Sequence, residues 1–344
     1  MKGKLILGFL LFFTMFAVPF LATGTKETDK AERASPSSGQ SAAQPSAASQ
    51  QSGAPGVNPA SVFRIQDTSS NKVISVSDRD FLFGAIVTEM SPDAPPEALK
   101  AQGVAAYTYY SRLREKQRQS ASSGGADFTA DTQNWLIYVS KEQMQSRWGD
   151  QFNSYYQKLT SVVDAIYGQV LKSNGELIDA TYYAISSGKT ETSEDIWGGK
   201  RSYLVAVASP GDVFAGGYQT TVVMDENKFK AAAQKTSPKI DLGGTASSWI
   251  GEIKRTGSGS VETIVIGGTK ITGNDARSAF GLRSANFTVS YADGSFTFVV
   301  RGYGHGVGMS QTGAEYMANQ GSTYRQILSW YYPTTTLTTA GIVD

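Results

Sequence analysis

The stretch SPSSGQSAAQPSAASQQSGAPGVNPA, Ser35–Ala60, sets the outer limit on what this chain can fold. It has no aromatic residue and one branched apolar residue, Val57, so it has almost nothing to bury against the entropy lost on ordering its backbone. Residues 26–60 therefore read as a disordered Ser/Ala/Gln/Pro linker, and folded structure is expected only within 61–344. Ahead of the linker, Lys2 and Lys4 precede an apolar run, Leu5–Ala22. Its length lies between a signal-peptide core and a spanning helix, and residues 1–25 are read as a signal or membrane-anchor segment. A retained anchor is the preferred reading, with cleavage at the small residues Ala22-Thr23-Gly24 and secretion as the alternative. In both, the lysines stay on the cytoplasmic side and the rest of the chain is extracytoplasmic, on a tether that suits a surface as substrate.

Charge narrows the partners. With 31 basic and 30 acidic side chains, there is no global field to collect nucleic acid, so binding must rest on local chemistry. The absence of cysteine removes disulfides, thiolate nucleophiles and Cys-rich zinc sites. A single histidine means that any zinc site would draw nearly all its ligands from carboxylates. No metal and no cofactor are expected, and a Ser-His-Asp triad would have only His305 as its base.

From Val62 onward, strand-like runs (VFRI, VISV, TTVVM, ETIVIG, FTVSY, SFTFVV) alternate with helical patterns, without a βαβ rhythm. This predicts an α+β fold of mixed short strands and helices around a substrate groove, with a smaller inserted subdomain at about 228–286. In PPEALKAQGVAAYTYYSRLREKQ, Leu99, Gly103, Ala106, Tyr110 and Leu113 form the core-facing stripe of a helix. Lys100, Tyr107 and Arg114 lie off that stripe.

Two places carry candidate chemistry. Glu89 ends the apolar run Phe81–Val87, just before a proline-rich turn. Half-buried there, it would be held protonated by desolvation, as a general acid requires; a glutamate exposed at a helix end is the other reading. In GYGHGVGMS, Val307 stands where a dinucleotide-binding fingerprint needs its third glycine, so phosphate cradling is not expected. His305 there either satisfies hydrogen bonds of a tight turn or lines a groove with Tyr303, Ser310 and Gln311. A helix is expected over Thr312–Asn319, and a second after Gly321, with Thr323 and Gln326 spaced as a capping box.

Three blocks taken in order, TEMSPDAPPEALKAQGVAAYTYY, SSGKTETSEDIWGG and GYGHGVGMSQTGAEYMANQGSTYRQILSWYYPTTTL, resemble the stage II sporulation protein D and amidase-enhancer domain family. The resemblance spans nearly all of Val62–Leu337 and implies a lytic transglycosylase acting on peptidoglycan glycan strands, with Glu89 as catalytic acid. The bonds cut would be those between MurNAc and GlcNAc, with 1,6-anhydro products, during sporulation engulfment. A cell-wall amidase that strips the stem peptides and a membrane scaffold are the implied partners. Lys100, Tyr107, His305 and Gln311 would bind sugar hydroxyls or a lactyl carboxylate, and Tyr182 and Tyr183 would stack on pyranose faces. The sequence departs from the family pattern where Tyr107 replaces an expected arginine and Tyr183 an expected histidine, and where Leu136-Ile137-Tyr138 replaces Gln-x-Tyr. One alternative is a non-catalytic glycan-binding enhancer of an amidase. Another is a muramidase, which would need Glu194 or Asp195 besides Glu89.

Overall fold

The computed structural model describes residues 62–120 and 125–339. The expected anchor segment and linker lie outside the described residues. Among those described, no helix is long and apolar enough to cross a membrane.

The chain runs β1 (Val62–Asp67), β2 (Lys72–Ser77), α1 (Asp78–Glu89), α2 (Pro96–Gln119), β3 (Phe128–Ala130), α3 (Lys141–Trp148) and α4 (Phe152–Ile166). After these come β4 (Gln169–Ser173), β5 (Glu176–Leu177), β6 (Tyr182–Tyr183) and the short α5 (Ser193–Trp197). The long helix α2 is the axis of the first core. Its Leu99, Ala106 and Tyr110 are buried as the periodicity requires. Gly103 is where α2 comes closest to its neighbours: a Cβ there would strike Ile166 of α4 and stand 2.9 Å from Ile86 of α1. Interiors at native density do not absorb such an intrusion freely, and overpacking of this kind costs about 1–3 kcal/mol. β1 lies between β2 and β3, pairing with β3 in parallel from Ile65↔Phe128.

The chain then builds a second core. β7 (Gln219–Asp225) leads into α6 (Glu226–Gln234), β8 (Ile250–Arg255), β9 (Val261–Ile266), β10 (Thr269–Thr272), α7 (Gly273–Ala279), β11 (Phe287–Ala292) and β12 (Ser295–Arg301). Two antiparallel three-stranded sheets, β10-β9-β8 and β11-β12-β7, enclose Phe229, Phe280, Phe296 and Phe298. The Phe229 and Phe296 rings stack at 3.9 Å between centroids. β7 and β12 pair from Ser295↔Asp225 to Arg301↔Gln219, so the chain leaves and re-enters the first core at one place. The stretch 228–286 lies inside this second core, which also takes in the flanking strands β7 and β12.

The return leads through the glycine-rich loop to β13 (Met309–Ser310), α8 (Gln311–Asn319), α9 (Tyr324–Tyr331) and β14 (Thr336–Thr339). β13 pairs in parallel with β6. The expected capping box closes the start of α9, with Thr323 and Gln326 bonding each other's backbone N–H groups. Helices and short strands without a βαβ rhythm make this an α+β fold, as the sequence predicts.

Candidate functional site

α1 starts at an N-cap, Ser77, whose hydroxyl accepts the Asp80 N–H at 3.0 Å, and ends at Glu89 because Met90 turns to extended backbone (φ −134°, ψ 148°). The proline turn beyond is clamped by Lys158, whose Nζ donates to the carbonyls of Pro92 and Ala94 at 2.7 Å each. Glu89 is half-buried; burial, and after it the Glu89 charge nearby, push the Tyr110 and Tyr182 phenols well above their usual range. Burial raises the Glu89 carboxyl from 4.5 to about 7, and a hydrogen bond donated by Gln311 Nε2 to Oε2 at 3.2 Å pulls against that rise. The negative end of the α1 dipole works in the same direction as burial. The result is a carboxyl group that exchanges its proton near neutrality.

Gln311 is set in place by a buried hub. Asp212 is fully buried and accepts the Ser310 hydroxyl at 2.5 Å, the Ser186 N–H at 2.9 Å, and the hydroxyls of Ser209 and Thr312. These bonds fix the first turn of α8, where Gln311 is the first residue and Ser310 the N-cap. Gln311 Nε2 also lies 3.4 Å from Oε1 of Gln102, a fully buried residue of α2. The sequence reading missed both Gln102 and Asp212. A glutamine inside the apolar face of α2 was a readable signal; nothing local marks Asp212.

The glycines of the loop explain its path. Gly302, Gly304, Gly306 and Gly308 have φ of +80°, +125°, +85° and +85°, a region that side chains resist. At Gly308 a Cβ would overlap the Thr181 carbonyl, so the parallel pairing of β13 with β6 depends on its absence. His305 bonds to backbone through both ring nitrogens: Nε2–H donates to the Tyr182 carbonyl at 3.1 Å and Nδ1 accepts the Val307 N–H at 3.2 Å. Burial, with the Arg277 charge added, pulls its pKa down to about 3, and the imidazole stays neutral. It ties the loop to the strand carrying Tyr182. Its ring lies 5.3 Å from that of Trp197, an exposed aromatic at the end of α5.

Of the residues expected to touch substrate, Gln311 alone bonds to Glu89. Tyr107 does not face a groove. It is buried, donates its hydroxyl to Asp78 at 2.5 Å, and sits with Arg114 at the opposite end of α1, about 16 Å along the axis from Glu89. The stripe left Tyr107 and Arg114 outside the core; both turn inward because Asp78 needs partners. Tyr183 is buried rather than exposed, its ring 5.4 Å from that of His305. Ser310 is fully buried on Asp212, which removes it from any substrate surface. Lys100 pairs with Glu97 at 2.6 Å, and the Arg283 guanidinium lies over the Tyr303 ring at 4.2 Å. Glu194 and Asp195 are exposed on α5.

Fold and site together define a mixed α+β protein with one shielded carboxyl held by a glutamine. The chain belongs to the stage II sporulation protein D family. A family model described as Stage II sporulation protein matches residues 66–172. The Stage II sporulation protein D of Bacillus amyloliquefaciens is 36% identical over 266 residues, covering 77% of this chain and 75% of that protein. The protein of the same name from Bacillus subtilis (strain 168) is 34% identical over 274 residues, covering 79% and 78%. The Amidase enhancer of Bacillus subtilis (strain 168) is 29% identical over 308 residues, covering 75% of this chain and 40% of its own length.

Proposed function

We propose that this protein acts on the cell wall in sporulation as a lytic transglycosylase, cutting MurNAc–GlcNAc bonds of glycan strands with Glu89 as general acid and then base. The observation that carries the reading is the Glu89 carboxyl, raised to about 7 and bonded to Gln311. Protonated, it gives its proton to the glycosidic oxygen as the C1–O4 bond breaks. As carboxylate, it takes the proton of the C6 hydroxyl while O6 bonds to C1, closing the 1,6-anhydro ring. One proton moves from O6 to O4 through one residue, and no water is consumed. Burial and the Gln311 bond account for the Glu89 shift without a neighbouring carboxylate, an arrangement that suits a single-acid reaction better than the paired acids of a hydrolase.

On this reading residues 1–25 hold the protein at the outer face of the membrane and 26–60 tether it. A cell-wall amidase supplies peptide-stripped strands, and a membrane scaffold holds the two together. The amidase partnership draws on the relative named Amidase enhancer. Incubation with peptide-free glycan strands tests the proposal: products lighter by one water than hydrolysis products support it, and intact strands or hydrolysis products refute it.

A further inference from the structure

Gln102 is a polar side chain fully buried in α2, and its Oε1 lies 3.4 Å from Nε2 of Gln311. Its own Nε2 is buried and has no partner among the described residues. Glu89, Gln311 and Gln102 thus stand in a row, carboxyl to amide to amide, with an unmatched far end. Both contacts fall on Gln311 Nε2, so this amide directs one hydrogen at Glu89 Oε2 and the other at Gln102 Oε1. That arrangement suits a carboxylate. A proton on Glu89 Oε2 would bring an O–H donor against an N–H donor.

Half a turn of the Gln311 amide about its last side-chain bond puts its carbonyl oxygen there instead, as an acceptor. Amide oxygen and nitrogen are close in size, and this torsion is broad and roughly two-fold. The Gln311 oxygen would then oppose Gln102 Oε1, acceptor against acceptor, unless Gln102 turns too and offers the Nε2 that otherwise has no task. With both turned, each contact is again donor to acceptor. The far end of Gln102 has no bond to break. The frame stays fixed, because Ser310 on Asp212 anchors the first turn of α8 and Gln102 is packed inside α2. The titratable groups facing Glu89 are the phenols of Tyr110 on α2 and Tyr182 on β6. Burial raises both well above their usual range, so they keep their protons while Glu89 titrates near neutrality.

We propose that Gln102 and Gln311 are coupled positioning residues that turn together when Glu89 gains or loses its proton, so that the acid meets an acceptor when protonated and a donor when ionised. Their part in turnover rests on the reading of Glu89 as acid and then base; the turn itself needs only that Glu89 titrates. Each half of that reaction leaves Glu89 in the opposite form, and the pair matches both without moving backbone. The bond to the charged form is the stronger, so the net pull on the Glu89 pKa stays downward. Neutron diffraction from deuterated crystals of the full chain, without glycan, reads the amides well below and well above the Glu89 midpoint. Above it, the Gln311 deuterons should point at Glu89 and Gln102. Below it, Glu89 Oε2 should carry a deuteron, the Gln311 oxygen should face it, and Gln102 Nε2 should face Gln311. Unchanged amides at the two pH values, or Gln311 turning while Gln102 stays, overturns the proposal. Gln102→Met, similar in length but without an amide, should lower kcat on peptide-free strands several-fold per folded molecule with KM unchanged; an unchanged kcat overturns the positioning role. The two readings fail separately: amides that turn while strands stay intact refute the enzyme alone, and cleavage with fixed amides refutes the pair alone.

Discussion

Gln311 Nε2 stands 3.2 Å from Glu89 Oε2, a contact that joins the first residue of α8 to the last residue of α1 across 222 positions of sequence. Neither residue is useful without the other's helix. α1 delivers a carboxyl to a place of low polarity, and α8 delivers one amide that keeps its pKa from rising further.

Replacing Glu89 by Gln removes the exchangeable proton while keeping the shape. General acid–base catalysis contributes about 10²- to 10⁴-fold. Turnover of peptide-free strands should fall by that order while binding persists. Mass spectrometry of released 1,6-anhydro ends reads the first, and sedimentation with glycan the second. Unchanged cleavage would remove Glu89 from the mechanism.

The same substitution should stabilise the protein in alkaline solution. The folded state holds the Glu89 proton up to a pH of about 7, while the unfolded chain releases it near 4.5. Between those values the native state binds more protons, so wild-type stability falls as pH rises. Glu89→Gln is expected to gain up to about 3 kcal/mol over the wild type at pH 8 and nothing at pH 4, in chemical denaturation at both.

Activity should decline above neutral pH as the acid form of Glu89 is lost. The Gln311 bond lowers the Glu89 pKa, so Gln311→Ala should move this alkaline limb upward and slow turnover several-fold. A pH–rate profile checks the direction. A limb that moves down would contradict the hydrogen bond.

His305 is the one histidine of the chain, so its imidazole gives a single set of ring signals. With Nε2–H on the Tyr182 carbonyl and a pKa near 3, these signals should not titrate between pH 5 and 8, and nitrogen shifts should report the Nε2–H tautomer. A midpoint near 6.5 would mean that the ring is free.

Tyr107→Phe takes one donor from a buried carboxylate that keeps Arg114. A hydrogen bond to a charged group contributes about 1.5–3 kcal/mol, and the variant should lose about that in urea unfolding. Activity per folded molecule should be unchanged, unlike that of a substrate-binding residue.

The legible parts were those set by local rules. The stripe of α2, the capping box of α9 and the half-burial of Glu89 follow from spacing, caps and the run of apolar residues before it. The misread parts were set by partners distant in sequence. Tyr107 looked exposed because the stripe does not count Asp78, 29 residues away. Ser310 looked available because the loop does not announce Asp212, 98 residues away. The histidine drew attention by its rarity, yet each ring nitrogen meets a backbone group. Its carbonyl partner, on Tyr182, lies 123 residues away.

The pairing of Gln219 with Arg301 leaves the two ends of the second core side by side. A short hairpin turn could join them directly, so everything between is one continuous insertion in the sequence of the first core. Evolution can lengthen, trim or exchange it, and a protein engineer can substitute another, without asking α1 or α8 to move.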